Sequence, residues 1–276
     1  SPVSSPSRVG LTTGRFPTEM GINCYLQTRK GNTACEQFDY LDASVPTMAK
    51  VMKSAGYTTG HFGKWHMGGG RDVIDAPQIT EYGFDEYIST WESPNPDPVI
   101  TDSAWIWSRT DQVKRWDRTA YFVDKTLDFL KRHKGEPCFV NLWPDDMHTP
   151  WVPSQKTMDS ERTSWTTPPN FKEVLTEYDK QIGRLMEGLT KLGLEKNTIV
   201  IFTSDNGPAP SFQQMRTNSL LGVKCSLYEG GIRMPFAIHW PEKIKAGGIN
   251  DSSIVCAVDL LPSLCALTGA KLPLDM

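Results

Sequence analysis

No stretch of this 276-residue chain stays apolar long enough to cross a membrane. Its longest apolar runs, around 198–203 and 253–258, fall far short of the roughly 20 residues that a spanning helix needs. Blocks of like charge are missing as well. The 29 Lys and Arg nearly balance 32 Asp and Glu, for a net charge of −3, which argues against unspecific binding to nucleic acid or to acidic membranes. The six cysteines contain no CxxC pair and follow no metal-site spacing. Low-complexity runs and internal repeats are absent, while apolar residues at 38% and aromatics at 10% exclude a disordered chain. What remains is a globular protein of one large or two small domains. Cys138, Cys256 and Cys265 lie in apolar runs and read as small buried hydrophobes. Cys24 and Cys35 flank a polar loop, and a disulfide between them stays open if the protein is exported.

Helical and strand patterns alternate along the chain. Met48, Val51, Met52 and Ala55 share one face of a helix over 45–55 that Gly56 ends, and 57–62 reads as a short strand. A helix from Asp117 to about His133 carries Phe122, Val123, Leu127 and Leu130 on one side, and a strand over 138–143 follows. The clearest unit is a long amphipathic helix from Phe171 to Leu192, broken by Gly193 and followed by a β-branched strand over 198–203. A further strand over 235–240 and a mixed segment over 254–267 complete the chain. This alternation predicts an α/β sandwich with a large, mostly parallel central sheet flanked by helices.

Polar residues follow the strands where such a sheet carries chemistry. Gly63-Lys64-Trp65-His66 comes after the first strand, Asp145-Asp146-Met147-His148 after the second, and Ser204-Asp205-Asn206-Gly207 after the third. Open α/β sheets bind ligands at the carboxyl ends of their strands, so Lys64, His66, His148, Asp205 and Asn206 converge on one edge. Asp145 and Asp146 by themselves read as solvated loop carboxylates. His61, His133 and His239 read as structural or solvated. Sugar rings stack on tryptophan faces, but Trp91, Trp105, Trp107, Trp143, Trp151 and Trp165 read first as buried loop anchors.

The opening segment, Ser4-Ser5-Pro6-Ser7-Arg8 through Thr13-Gly14, suits a short helix. Pro6 is tolerated in the first turn, Gly14 closes the end, and Ser4 sits at the N-terminal end where free N–H groups favour an anion. This segment resembles the signature of the type I sulfatases, (Cys or Ser)-x-Pro-Ser-Arg-x-x-x-x-Thr-Gly, a family of the alkaline-phosphatase-like superfamily. Further segments resemble that family in order: Gly63-Lys64-Trp65-His66-Met67-Gly68, His148-Thr149-Pro150, Thr203 to Gly207, Gly222-Val223-Lys224 with Glu229 to Pro235, and Val258 to Ser263. Together they cover residues 4 to about 269.

The resemblance implies hydrolysis of sulfate monoesters on sulfated carbohydrates. Ser4 would be converted by a separate maturase to formylglycine, whose hydrate has one hydroxyl to attack sulfur and another to expel sulfate. Arg8 would stabilise the hydrate, His66 would be the base and Lys64 would bridge nucleophile and sulfate. Lys224 and His148 would grip the ester, with His148 the preferred general acid and Asp205 its competitor. One calcium ion is implied, held by Asp205, Asn206 and the residue-4 oxygen. Glu229-Gly230-Gly231 and Arg233 would form a turn that positions Lys224. The family's upstream Asp-Asp pair has no counterpart here, so the resemblance implies a catalytic domain lacking its first strand and the smaller C-terminal domain. It also implies a periplasmic, cell-surface or secreted location. A phosphonate or phosphate ester hydrolase of the same superfamily and an unmatured sulfate-binding protein remain as alternatives.

Overall fold

The computed structural model describes residues 1–101, 106–160 and 166–274. Helices α1 (Ser4–Thr13), α2 (Arg29–Ala34) and α3 (Met48–Ser54) precede the first strand, β1 (Thr58–Gly63). Then follow β2 (Glu86–Ser89), α4 (Arg118–Arg132) and β3 (Cys138–Trp143). Beyond these come α5 (Gln155–Ser160), α6 (Pro168–Lys191), β4 (Val200–Thr203), α7 (Glu229–Ile232), β5 (Phe236–His239) and α8 (Leu260–Thr268). The strand ending in the first polar motif, the long helices α4 and α6, and β3 lie within a few residues of where periodicity places them.

In the described residues, β2, β1 and β3 form a parallel sheet in that order, with Gly63 level with both Ser89 and Trp143. The segments between these strands carry helix and loop back to the starting edge, as parallel pairing requires. Among the described residues β4 has a different partner. It pairs antiparallel with β5 in a separate ladder, Val200 level with His239. Parallel and antiparallel strands of four apolar residues read alike, so hydrophobic pattern does not select the partner.

Among the described residues, three clusters make up the core. Val9 of α1, Ile22, Leu41, Trp65, Tyr82 and Phe84 pack on one face of β1. Phe62, Ile100, Phe122 and Phe129 fill the space between β1 and α4. Met48 and Met52 of α3 meet Leu261 and Cys265 of α8. Of the cysteines read as buried, Cys265 is; Cys138 is half-buried and Cys256 is exposed, because Cys256 precedes a short turn of helix at the surface instead of sitting in a strand. Cys24 and Cys35 are free thiols.

Candidate functional site

Helix α1 brings the opening motif into the interior. Ser4 is its first residue and is only 3% exposed, and Val3 before it is extended and offers no side-chain cap. The N-terminal N–H groups of a helix have no partners within it and carry partial positive charge. Gly14, at φ 68, ends the helix by donating its N–H to the Gly10 carbonyl. Within the first turns, the Ser5 hydroxyl accepts from the Leu26 N–H at 2.9 Å. Ser4 Oγ donates to Asn206 Oδ1 at 3.3 Å. Arg8 lies one turn further along and makes three bonds: Nε and Nη2 donate to Asp205 Oδ2 at 3.1 and 2.9 Å, and Nη1 donates to the Lys64 carbonyl at 2.8 Å. Its guanidinium also stands over the Trp143 ring, 5.0 Å from the centroid. One buried arginine thus ties α1 to the ends of β1, β3 and β4.

The turn after β1 depends on Gly63. At φ 130, a Cβ there would sit 2.1 Å from the Trp143 carbonyl oxygen, so only glycine allows Lys64 N–H to reach that oxygen at 2.8 Å. Lys64 and His66 are both buried. His66 has φ 54, left-handed backbone for a non-glycine residue, a conformation that persists where surrounding structure imposes it. Its N–H donates to the Glu92 carbonyl at 3.0 Å. The ring Nε2 lies 2.9 Å from the Leu26 carbonyl and 3.4 Å from Glu92 Oε1. Both neighbours accept, so the proton belongs on Nε2, and Nδ1 is left as a buried lone pair without a hydrogen-bond partner. Burial, assisted by the Lys64 and Arg8 charges, pushes the imidazole down to about 3, so it is neutral near pH 7.

His148 is fixed in the opposite tautomer. Its Nδ1–H donates to the Thr149 carbonyl at 2.6 Å, and Nε2 accepts from Lys224 Nζ at 3.1 Å. Burial and the charges of Lys64 and Lys224 push it down to about 4. Lys224 is itself shifted down, by burial first and then by Lys64. Asp205 shows the reverse. Burial opposes its charge, but Arg8 and Lys64 hold its carboxyl well below the usual carboxylate range. The Glu229 to Gly231 turn supports Lys224 from behind: Gly230 N–H donates to Leu221 O at 2.8 Å and Gly207 N–H to Gly231 O at 2.9 Å. A Cβ on Gly230 would lie 2.1 Å from the Gly222 carbonyl, which explains the paired glycines.

Every residue singled out from the sequence for this site therefore enters one connected cluster. Asp145 and Asp146 are not solvated, contrary to expectation. Both are buried. Asp145 Oδ2 accepts from Arg115 at 2.9 Å and from Arg118 at 3.0 Å, while Asp146 accepts from the backbone and hydroxyl of Thr119. Two buried cations on α4 and the turn before it draw the pair inward. Arg115 further donates to the His148 and Pro150 carbonyls, so this ion pair braces the histidine's loop. Trp91 and Trp151 are buried, Trp143 belongs to β3, and Trp105 and Trp165 lie outside the described residues. His61 is fully buried, whereas His239 is exposed. Glu92 was missed: it stands in a loop without motif, yet its carboxylate reaches Lys64 Nζ at 3.1 Å.

Ser4, Asn206 and Asp205 supply oxygen donors, the type calcium takes. They match that ion in chemistry and cover part of a shell of six to eight oxygens. Among the described residues, no group of three His, Cys, Asp or Glu side chains is placed to hold a metal.

Comparison with known proteins bears on this cluster. The family described as Sulfatase matches residues 1–270. An N-acetylgalactosamine-6-O-sulfatase of Bacteroides thetaiotaomicron is 27% identical across the whole of this chain and 65% of its own length. The N-acetylgalactosamine-6-sulfatase of Rattus norvegicus is 28% identical over the whole chain and 55% of its own. The chain thus spans between about half and two thirds of these relatives. The crystal structure of Ps i-CgsB in complex with k-i-k-neocarrahexaose superposes with a TM-score of 0.78 at 26% identity, over 99% of this chain and 63% of that one.

Proposed function

The chain belongs to the sulfatase family, and we propose on that footing that it hydrolyses sulfate monoesters on carbohydrates. The observation that carries the reading is the convergence of buried Ser4, Arg8, Lys64 and His66 with half-buried His148, Asp205, Asn206 and Lys224 in one cluster. Members of the family generally carry formylglycine and bind calcium. At position 4 formylglycine would supply a hydrated aldehyde, with one hydroxyl for attack on sulfur and one for release. Arg8 and Lys64 furnish positive charge beside that position. His66, neutral and with a bare Nδ1, has the lone pair a base needs. Lys224 Nζ holds the proton that it donates to His148 Nε2, and this pair would supply the acid for the departing alcohol. This pair supports His148 over Asp205 in that role, because Arg8 keeps Asp205 ionised and unable to donate. Asp205, Asn206 and the residue-4 oxygen would hold the calcium ion, whose charge would offset that of the sulfate.

The substrate class rests on the sulfated-sugar names of the relatives. A maturase that converts Ser4 and a periplasmic, cell-surface or secreted location belong to the same reading; no helix among the described residues is long and apolar enough to cross a membrane. Mass spectrometry of the peptide carrying Ser4 reports conversion as the loss of two hydrogens. Turnover of 4-nitrophenyl sulfate by protein so verified is the expected result. Absence of turnover in converted, calcium-supplied protein refutes the reading, and preferential turnover of nitrophenyl phosphate or phosphonate esters transfers the chain to another ester.

A further inference from the structure

Beside the sulfate-handling cations lies a small cavity of about 30 Å³, lined by Lys64, Thr90, Glu92, Arg115, Asp145 and His148. An anion site is expected to gather cations, and it does. Two carboxylates in its wall need a reason. Asp145 has one: Arg115 and Arg118 hold it from behind, and it braces the His148 loop. Glu92 is different. Its partners are Lys64 Nζ at 3.1 Å, His66 Nε2 at 3.4 Å and Arg71 Nη2 at 3.4 Å, so it stands directly against the lysine and histidine of the site. Its position is built in. A Cβ on Gly69 would lie 2.2 Å from Pro94 N, so glycine there lets the 91–94 segment close over the turn after β1. Arg71 clasps the same segment, its guanidinium 4.7 Å from the Trp91 centroid. Burial works against the Glu92 charge, and His66, Lys64 and Arg71 outweigh it, holding the carboxyl down to about 2.

We infer that Glu92 is a specificity-determining residue that makes the site select singly charged esters over doubly charged ones. The inference rests on the sulfatase reading. An ester oxygen bonded to Lys64 Nζ would sit roughly 5–6 Å from the Glu92 oxygens, two hydrogen-bond lengths away. A sulfate monoester carries one negative charge there, and a phosphate monoester carries two at pH 8. The additional unit of charge is repelled by Glu92 by about a hundredfold in affinity at an effective dielectric of about 20, and by about tenfold at twice that dielectric. Lys64 keeps its counter-charge in the empty site, so the same carboxylate that opposes a dianion orients the lysine for a monoanion.

The test is equilibrium binding at pH 8, with calcium present, of phenyl sulfate and phenyl phosphate to the full chain with Ser4 unconverted, so that no turnover intervenes. Wild type, Glu92→Gln and Glu92→Asp are compared by calorimetry. Glu92→Gln keeps the side-chain shape and removes the charge; the expected result is a rise of about tenfold or more in the phosphate-to-sulfate affinity ratio. Glu92→Asp keeps the charge and is expected to hold the wild-type ratio. A purely structural or lysine-positioning role weakens both ligands in parallel and leaves the ratio within about twofold, which overturns the inference, as does an equal shift in both variants. If wild-type protein fails to bind phenyl sulfate, the inference falls, while the sulfatase reading is decided separately by turnover of converted protein. If it binds and only the ratio fails to move, the inference alone is wrong.

Discussion

His61→Phe is expected to stabilise this protein in acid and to do far less at alkaline pH. His61 lies in the middle of β1, completely buried, with ring centroids of Trp65, Phe84 and Trp143 between 5.3 and 5.4 Å away. Neither ring nitrogen has a partner in good hydrogen-bond geometry, and the nearby Gly63 and Lys64 backbone only weakly favours the charged form. Burial first, and then the Arg8 charge, pushes the imidazole from 6.5 down to about 3. A histidine with a depressed folded-state value is neutral when folded and protonated when unfolded between those two limits. The unfolded chain therefore binds more protons in that window, and stability falls as pH drops below 6.5. At pH 5 the loss is about 1.36 kcal/mol per unit over 1.5 units, or ~2 kcal/mol; at pH 8 it is near zero. Phenylalanine does not titrate, so the advantage of the variant is larger by ~2 kcal/mol at pH 5 than at pH 8 whatever its packing cost. In a chain of this size that is a differential shift of roughly 3–4 °C in Tm. Thermal unfolding of both proteins at the two pH values measures it, and His66 and His148, present in both, cancel. An equal change at the two pH values refutes the reasoning, and would mean that the ring is protonated or hydrogen-bonded in the folded state.

Gly63→Ala places a Cβ 2.1 Å from the Trp143 carbonyl at a φ of 130; it should cost at least ~2 kcal/mol in urea unfolding and displace Lys64. Arg8→Lys keeps the charge but loses the fork that grips Asp205 and the Lys64 carbonyl. Losing those bidentate bonds is expected to lower unfolding free energy by ~2 kcal/mol and turnover of nitrophenyl sulfate by about a hundredfold or more. Lys224→Met removes both the hydrogen bond and the positive charge at His148 Nε2. The His148 resonance, followed by NMR, should then titrate above the wild-type value of about 4, with turnover lower by about a hundredfold; an unmoved titration refutes the coupling of the two.

The contrast between what the sequence disclosed and what it hid follows from where each residue's partner lies. Periodicity and turn chemistry act over a few residues, and so β3 and β1 are legible almost to the residue, while α6 starts at Pro168, three residues before its first expected apolar position. The candidate site residues stand out for another reason, since each sits inside a short ordered motif. Strand pairing is a long-range choice, and nothing local to 200–203 separates a fourth parallel strand from the antiparallel partner of β5. Asp145 and Asp146 were misread because Arg115, Arg118 and Thr119, about 30 residues earlier, decide whether a loop carboxylate is hydrated or buried. Glu92 is the extreme case. No neighbour in the chain marks it, and its meaning comes wholly from Lys64, His66 and Arg71 across a glycine turn. In the proposed function the motifs name the groups that would hold the ester, and the counter-charges around them, free to come from any loop that reaches the site, would set how much charge that ester can carry. Residues of the second kind are marked by a buried carboxylate against a cation of the site, as Glu92 is against Lys64, a contact that exists only once the chain has folded.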